Sequence, residues 1–171
     1  MKLKSIETFT TQDVGFVRVT AEDGSQGWGQ VSTYHADITV QVLHRQVAPW
    51  TLGKDTTDLD ALLDFVTDRE HKFPGSYLRR ALAGLDTAIW DWRGKDQGKP
   101  VAALLGGSAG PLRAYASSMK RDITPKDEAA RLKHLRDAQG FDAFKVRAGS
   151  EVGHDKDEWP GRTEEIIATM R

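Results

Sequence analysis

Lys145-Val146-Arg147 is the stretch of this sequence with the most direct chemical reading. The surrounding segment, Phe141 to Arg147, reads as a β-strand. Strand side chains alternate, so Lys145 and Arg147 share one face about 6.6 Å apart, while Phe144 and Val146 take the other. Such a pair either receives an anion or is simply two charges on a solvated edge strand. A lysine, ordinarily near about 10.4, approaches the range of a general base when burial and a neighbouring like charge lower its pKa. An arginine, at about 12.5–13.8, does not readily give up its proton.

The other titratable candidates are more scattered. Tyr34 and His35, in Ser32-Thr33-Tyr34-His35, offer a stacking surface and a titratable ring, although a loop histidine is often just solvated. His154 sits in Gly153 to Arg162, where Asp155, Asp157 and Glu158 place three acids in four positions. That segment lacks the glycine and terminal glutamate of an EF-hand loop, and reads as a loop leading into a helix. None of His44, His71, His134 or His154 has ligand spacing such as H-E-x-x-H. Gly106 to Gly110 is followed by no Lys-Ser/Thr and reads as a linker, not a phosphate loop.

The elements that must position these residues follow from periodicity. Leu3 to Phe9, Phe16 to Thr20 and Gln26 to Gln30 read as three antiparallel strands, with Asp23-Gly24 closing the second hairpin. A helical period begins at Ile38 and is expected to stop at Pro49; a second helix runs from about Thr57 to Arg69. Leu78, Ala81, Leu82, Leu85, Ala88, Ile89 and Trp92 form one continuous apolar helix face, with Gly94 as the expected stop. After the small-residue stretch ending at Gly110, the grammar becomes βαβα: strand Leu112–Ser117, helix Pro125–Ala138, strand Phe141–Arg147, and a helix from Thr163. That order is characteristic of a parallel sheet. The boundary divides the chain into domains 1–110 and 111–171.

Composition narrows the function classes. Against 25 Asp and Glu stand 24 Lys and Arg, a net charge of −1, with no basic block to attract nucleic acid. No run approaches the ~18 apolar residues of a membrane span, and the N-terminus does not lead into a signal-peptide core. The absence of cysteine excludes disulfides, thiolate metal sites and cysteine nucleophiles, and fits a reducing compartment. The expectation is a soluble cytoplasmic protein with neither nucleic-acid nor membrane partners.

The run Ala81-Leu82-Ala83-Gly84-Leu85-Asp86-Thr87-Ala88-Ile89-Trp90-Asp91-Trp92-Arg93-Gly94-Lys95, continued by Pro100 to Gly106, resembles the signature of the mandelate racemase/muconate lactonizing enzyme family of the enolase superfamily. Gly27-Trp28-Gly29 after the Asp23-Gly24 hairpin resembles the same family's capping domain. Trp92, where an aliphatic residue is usual, and Gln30, where an acid is commoner, depart from the pattern. The implied fold is an α+β capping domain, a three-stranded antiparallel meander plus helices. It is followed by the first two βα units of an incomplete (β/α)8 barrel. Within the signature, Gly84 is read as a close-approach position, and Asp86 and Asp91 as structural hydrogen-bond or ion-pair partners.

By the same resemblance, Lys145 and Arg147 occupy the Lys-x-Lys position on the second barrel strand. There a lysine takes the proton α to a carboxylate and Mg²⁺ stabilises the enediolate. Arg147 stands where the family usually has its basic lysine, so two assignments stay open. Either Lys145 is the base and Arg147 holds the carboxylate, or both bind charge and the acid/base groups come from elsewhere, such as a His-Asp pair late in the barrel. Both favour dehydration of an acid sugar over symmetric two-base racemisation, with a racemase, epimerase or cycloisomerase as alternatives. The substrate-setting loops would be Thr10–Gly15, Ser32–His35 with Tyr34 and His35, and His71–Gly75; His154 would lie at the rim of the site.

Residues 112–171 have room for only two βα units of about 31 residues each. The resemblance puts the metal-binding carboxylates on later strands, so this chain is expected to carry no Mg²⁺ ligands and to be inactive alone, as the N-terminal part of a longer enzyme. The implied partner is a small carboxylate or acid sugar, and a homo-oligomer is compatible with the family. The contrasting reading is a non-enzymatic remnant or interaction module that pairs its open sheet edge with another chain.

Overall fold

A computed structural model describes residues 1–171, which fall into two compact units, Met1–Ala109 and Gly110–Arg171.

In the first unit, β1 (Leu3–Thr10), β2 (Gly15–Ala21) and β3 (Gln26–Val31) form an antiparallel sheet in that order. The turn into β3 is built as the Asp-Gly signal requires: Gly24 has φ +88°, and Asp23 Oδ1 accepts from the backbone N and hydroxyl of Ser25. A bulge between Leu3 and Ser5 makes Lys4 an extra residue. It therefore returns Leu3 to the face of Ile6, Val17 and Val19, all of which are buried. On the opposite face Phe9 stacks on Trp28 with centroids 5.5 Å apart, and the Arg18 guanidinium lies over both rings while forking onto Glu7.

α1 (Ala36–Val42) passes through a wide π turn, Leu43–Val47, into α2 (Ala48–Thr51). Pro49 therefore does not end the helical stretch as expected. It occupies the first turn of α2, where its missing N–H removes no required bond, and the chain stays helical to Thr51. α3 (Leu59–Arg69) is capped by Asp58, whose carboxylate accepts from Ala61 N at 3.0 Å, and buries Leu59, Leu62 and Val66.

α4 (Ser76–Asp96) is the central element, and it lies against β3 at backbone distance. A Cβ on Gly27 or Gly29 would run into the carbonyls of Ala88 and Gly84, and one on Gly84 would come within 2.5 Å of Val31 Cγ1. Three positions with no side chain thus bring helix and sheet into direct contact. The helix does not stop at Gly94, which is buried inside it. A Cβ there would lie 2.9 Å from the carbonyl of Lys99 as the chain folds back, and the left-handed residue beyond the helix is Gly98, at φ +60°. α5 (Val101–Leu104) completes the unit.

In the second unit, β4 (Ala116–Ser117) and β5 (Phe144–Lys145) pair in parallel, with Ala116 opposite Phe144 and Ser117 opposite Lys145. The expected strands Leu112–Ser117 and Phe141–Arg147 are thus two residues each, and Leu112 is 94% exposed. β-propensity marks residues able to be extended, but regular strand needs a ladder. Here the ladder runs only from Ala116 N–Ala143 O to Ser118 N–Lys145 O. α6 (Pro125–Gln139) starts on Thr124, whose hydroxyl accepts from Asp127 N, and ends on Gly140 at φ +74°. α7 (Arg162–Met170) buries Ile166. No helix in the chain is long and apolar enough to cross a membrane.

Candidate active site

The parallel pair sends both of its loops off the carboxyl ends of the strands, residues 118–124 after β4 and 146–161 after β5. Between these loops lies an open cleft of about 450 Å³, lined by Met119, Arg121 and Asp122 from the first and Arg147, Glu151 and Glu158 from the second. Ligands of parallel α/β sheets bind at this end, because the loops there are free of the sheet ladder and can vary around a fixed frame.

The two arginines of the cleft have different employment. Arg121 Nη1 donates to the carbonyls of Ala148 (3.1 Å) and Gly149 (2.6 Å), so it ties the first loop to the second. Arg147, half-buried, has Nη2 2.9 Å from the thioether of Met119, a weak acceptor. No carboxylate is paired with Arg147, although Glu151 and Glu158 line the same cleft. Its guanidinium fork is thus the group best suited to accept a carboxylate in two parallel hydrogen bonds.

Of the five residues singled out in the sequence, Arg147 alone lines this cleft. Lys145 is the last residue of β5, exposed, and outside the lining. His154 stands on the second loop with φ +60°, exposed, in a turn held by Ser150 N donating to Lys156 O at 2.7 Å. Tyr34 and His35 belong to the other unit. Both have left-handed backbone (φ 61° and 55°), His35 immediately precedes α1, and the Tyr34 carbonyl accepts from Arg80 at 3.3 Å. Met119, Arg121, Asp122 and Glu151 escaped the sequence reading. Their signal was position, since each follows the carboxyl end of a strand in a βα unit.

In the signature helix, Asp91 accepts from Trp28 N (2.7 Å) and from Lys95 (2.6 Å), which ties α4 to β3. Burial, with a smaller push from Asp60, raises the Asp86 carboxyl above the ordinary aspartate range. Asp91 is structural, an anchor of α4 on β3. Nowhere in the chain do three His, Asp or Glu side chains converge as a metal-holding group, so the residues present do not fit the Mg²⁺ that the resemblance implies.

Comparison with known proteins agrees with this architecture. Residues 2–106 match the family described as mandelate racemase / muconate lactonizing enzyme, N-terminal domain. A D-galactonate dehydratase from Ralstonia pickettii (strain 12J) is 32% identical over 139 residues, covering 81% of this chain and 36% of that enzyme. Among solved structures, a candidate racemase from Roseobacter denitrificans is 80% identical, with a TM-score of 0.97 over 100% of this chain and 47% of its own. A mandelate racemase/muconate lactonizing protein from Paracoccus denitrificans PD1222, complexed with magnesium, is 32% identical, with a TM-score of 0.75 over 85% of this chain and 42% of its own. The chain spans less than half the length of each of these relatives. With its meander, its glycine-mediated helix contact and its first parallel βα units, the chain belongs to the mandelate racemase/muconate lactonizing enzyme family of the enolase superfamily.

Proposed function

We propose that this chain supplies the capping domain, residues 1–110, and the first two βα units, residues 111–171, of an enzyme that dehydrates an acid sugar. The observation that carries the reading is Arg147, a guanidinium without a carboxylate partner, lining a cleft at the carboxyl end of a parallel strand pair. The 32% identity to a D-galactonate dehydratase supports galactonate as the first substrate to try. In this reading Arg147 holds the substrate carboxylate and Lys145 takes the α-proton. Tyr34, His35 and His154 contribute to substrate choice. The complete enzyme uses Mg²⁺, with ligands that this chain does not contribute. Holding the carboxylate against a fixed cation lowers the cost of negative charge developing on it as the α-proton leaves. Removing that proton is then the task of Lys145 as the general base.

The test is complementation. The 171-residue chain alone is expected to give no turnover of D-galactonate with Mg²⁺. Adding the remaining segment of the Roseobacter denitrificans protein in trans is expected to restore formation of a 2-keto-3-deoxy acid. Lys145→Ala or Arg147→Ala should abolish that activity. Turnover by the chain alone, or undiminished activity of both variants, would overturn the assignment. A second reading, racemisation or epimerisation, draws on the 80% identity to a candidate racemase. It predicts α-deuterium uptake from heavy water without loss of water from the substrate.

A further inference from the structure

The largest fully buried side chain of the second unit is a charged one: Arg162, 1% exposed, at the first turn of α7. It forms no ion pair with any carboxylate, and its Nε finds no hydrogen-bond partner in the chain. A buried cation without a counter-charge is costly, so stability alone does not explain its presence. What it does contact is specific. Nη1 donates to the carbonyl of Arg147 at 2.8 Å and Nη2 to the carbonyl of Ile123 at 3.5 Å, and the guanidinium lies 5.0 Å from the Trp159 ring centroid.

These contacts fall where the sheet stops helping. The β4–β5 ladder ends at Ser118 N–Lys145 O, so the backbone of Arg147 lies beyond strand pairing. Its carbonyl is held by Arg162, while the adjacent carbonyls, Ala148 and Gly149, are held by Arg121 from the opposite loop. Gly149 N in turn donates to Thr163 Oγ1 at 3.0 Å, and the Thr163 hydroxyl is bound to Asp157. Each peptide from 147 to 149 is thereby fixed from outside the sheet. A planar guanidinium stacked on an indole can aim two N–H groups at two loops at once, and a lysine ammonium on a flexible stem cannot do so with the same rigidity.

We propose that Arg162 is a positioning residue. It fixes the backbone of Arg147 and bridges the two cleft loops, so that the Arg147 guanidinium is presented from a loop set in place before an anionic substrate group arrives. The consequence for binding rests on the reading of Arg147 as the carboxylate ligand; the tethering does not.

The experiment compares the 171-residue chain with Arg162→Lys and Arg162→Gln, using amide hydrogen exchange and D-galactonate titration. Exchange at residues 147–149 is expected to rise about tenfold in both variants while α6 keeps its protection. Galactonate affinity is expected to fall about tenfold in both, with no rescue by lysine. Wild-type behaviour of Arg162→Lys, or equal loosening of α6 and the loop, would show that Arg162 is merely packed. Should a variant fail to fold, the unsubstituted chain still decides. Its Arg162 Nη–H groups are expected to give separate, slowly rotating nitrogen-15 resonances, and a single averaged signal refutes the bridge. Failure of the unsubstituted chain to bind galactonate would remove the carboxylate role of Arg147 and leave the exchange result to judge the tether.

Discussion

The two units solve the problem of joining a helix to a sheet in opposite ways. In the first, α4 meets β3 through Gly27, Gly29 and Gly84, backbone against backbone, with the core of Val17, Val19, Val31, Leu85 and Ile89 closed around the contact. In the second, the strands are two residues long, and Arg162 ties the start of α7, and Arg121 the loop after β4, to the backbone that follows β5. Apolar burial without direction fixes the frame, whereas directed hydrogen bonds fix the loops beside the cleft. The contrast matches the division of labour in such proteins, where rigid elements carry variable functional loops.

The largest effect that would break this comparison is at Gly29. Gly29→Val places a branched side chain on the α4 backbone, and it is expected to destabilise the first unit by about 3 kcal/mol or more. Hydrogen exchange should rise across β2, β3 and α4 while α6 stays protected, because the nearest atoms a side chain at Gly29 would meet, Gly84 O, Thr87 Oγ1 and Ala88 N, all belong to α4. Protection of β3 equal to wild type would mean that the close contact is not needed.

Next comes Arg131→Ala. Glu128 is buried to 1% exposure and is held by Arg131 at 2.9 and 3.0 Å. Burial pushes this carboxyl up, but bonds from Arg131 and Ser118 outweigh it and hold its pKa below the ordinary glutamate value. A depressed pKa gives stability that is present above the unfolded-state value and lost as pH falls through the folded one. Arg131→Ala is expected to cost about 2–3 kcal/mol near neutral pH, less than for a fully buried pair because Arg131 is partly exposed. Denaturant titration of α6 should also show a flattened acid limb.

Thr124→Ala removes the acceptor for Asp127 N and is expected to cost about 1 kcal/mol, read as early melting of α6. The smallest effect has the opposite sign. Because Asp86 is raised above its ordinary pKa by burial and by Asp60, its ionised form weighs against folding at neutral pH. Asp86→Asn should therefore stabilise the first unit slightly at pH 7. The gain should disappear below the ordinary aspartate range, where both states of the wild type are protonated.

Much of the first unit is legible in the sequence because its signals are local. Asp23-Gly24 sets a turn, and Leu78 to Ile89 repeat at helical spacing and are buried. Gly27 and Gly29 leave room that only a backbone can fill. Pro49 and Gly94 misled because each is permissive as well as disruptive: a proline fits a first turn, and a glycine fits where another strand of chain presses on a helix. In the second unit, Phe144 and Lys145 are extended as their pattern implies, but how far a strand runs depends on its neighbours. Arg121 and Arg162 bond to carbonyls, which have no side-chain identity and leave no trace in residue spacing. The cleft itself was legible only through Arg147 and the acidic segment that holds Glu158.

The glycine contact between α4 and β3 has an implication for how this unit tolerates change. A distance set by main-chain atoms does not drift when side chains are exchanged elsewhere, so the ends of β1, β3 and α1 remain a fixed mounting. Gln12 O accepts from Ala36 N, which joins the 11–14 turn to the start of α1 beside Tyr34 and His35. Loops on that mounting can be rewritten residue by residue without recalibrating the frame, and three missing side chains are what make such rewriting tolerable.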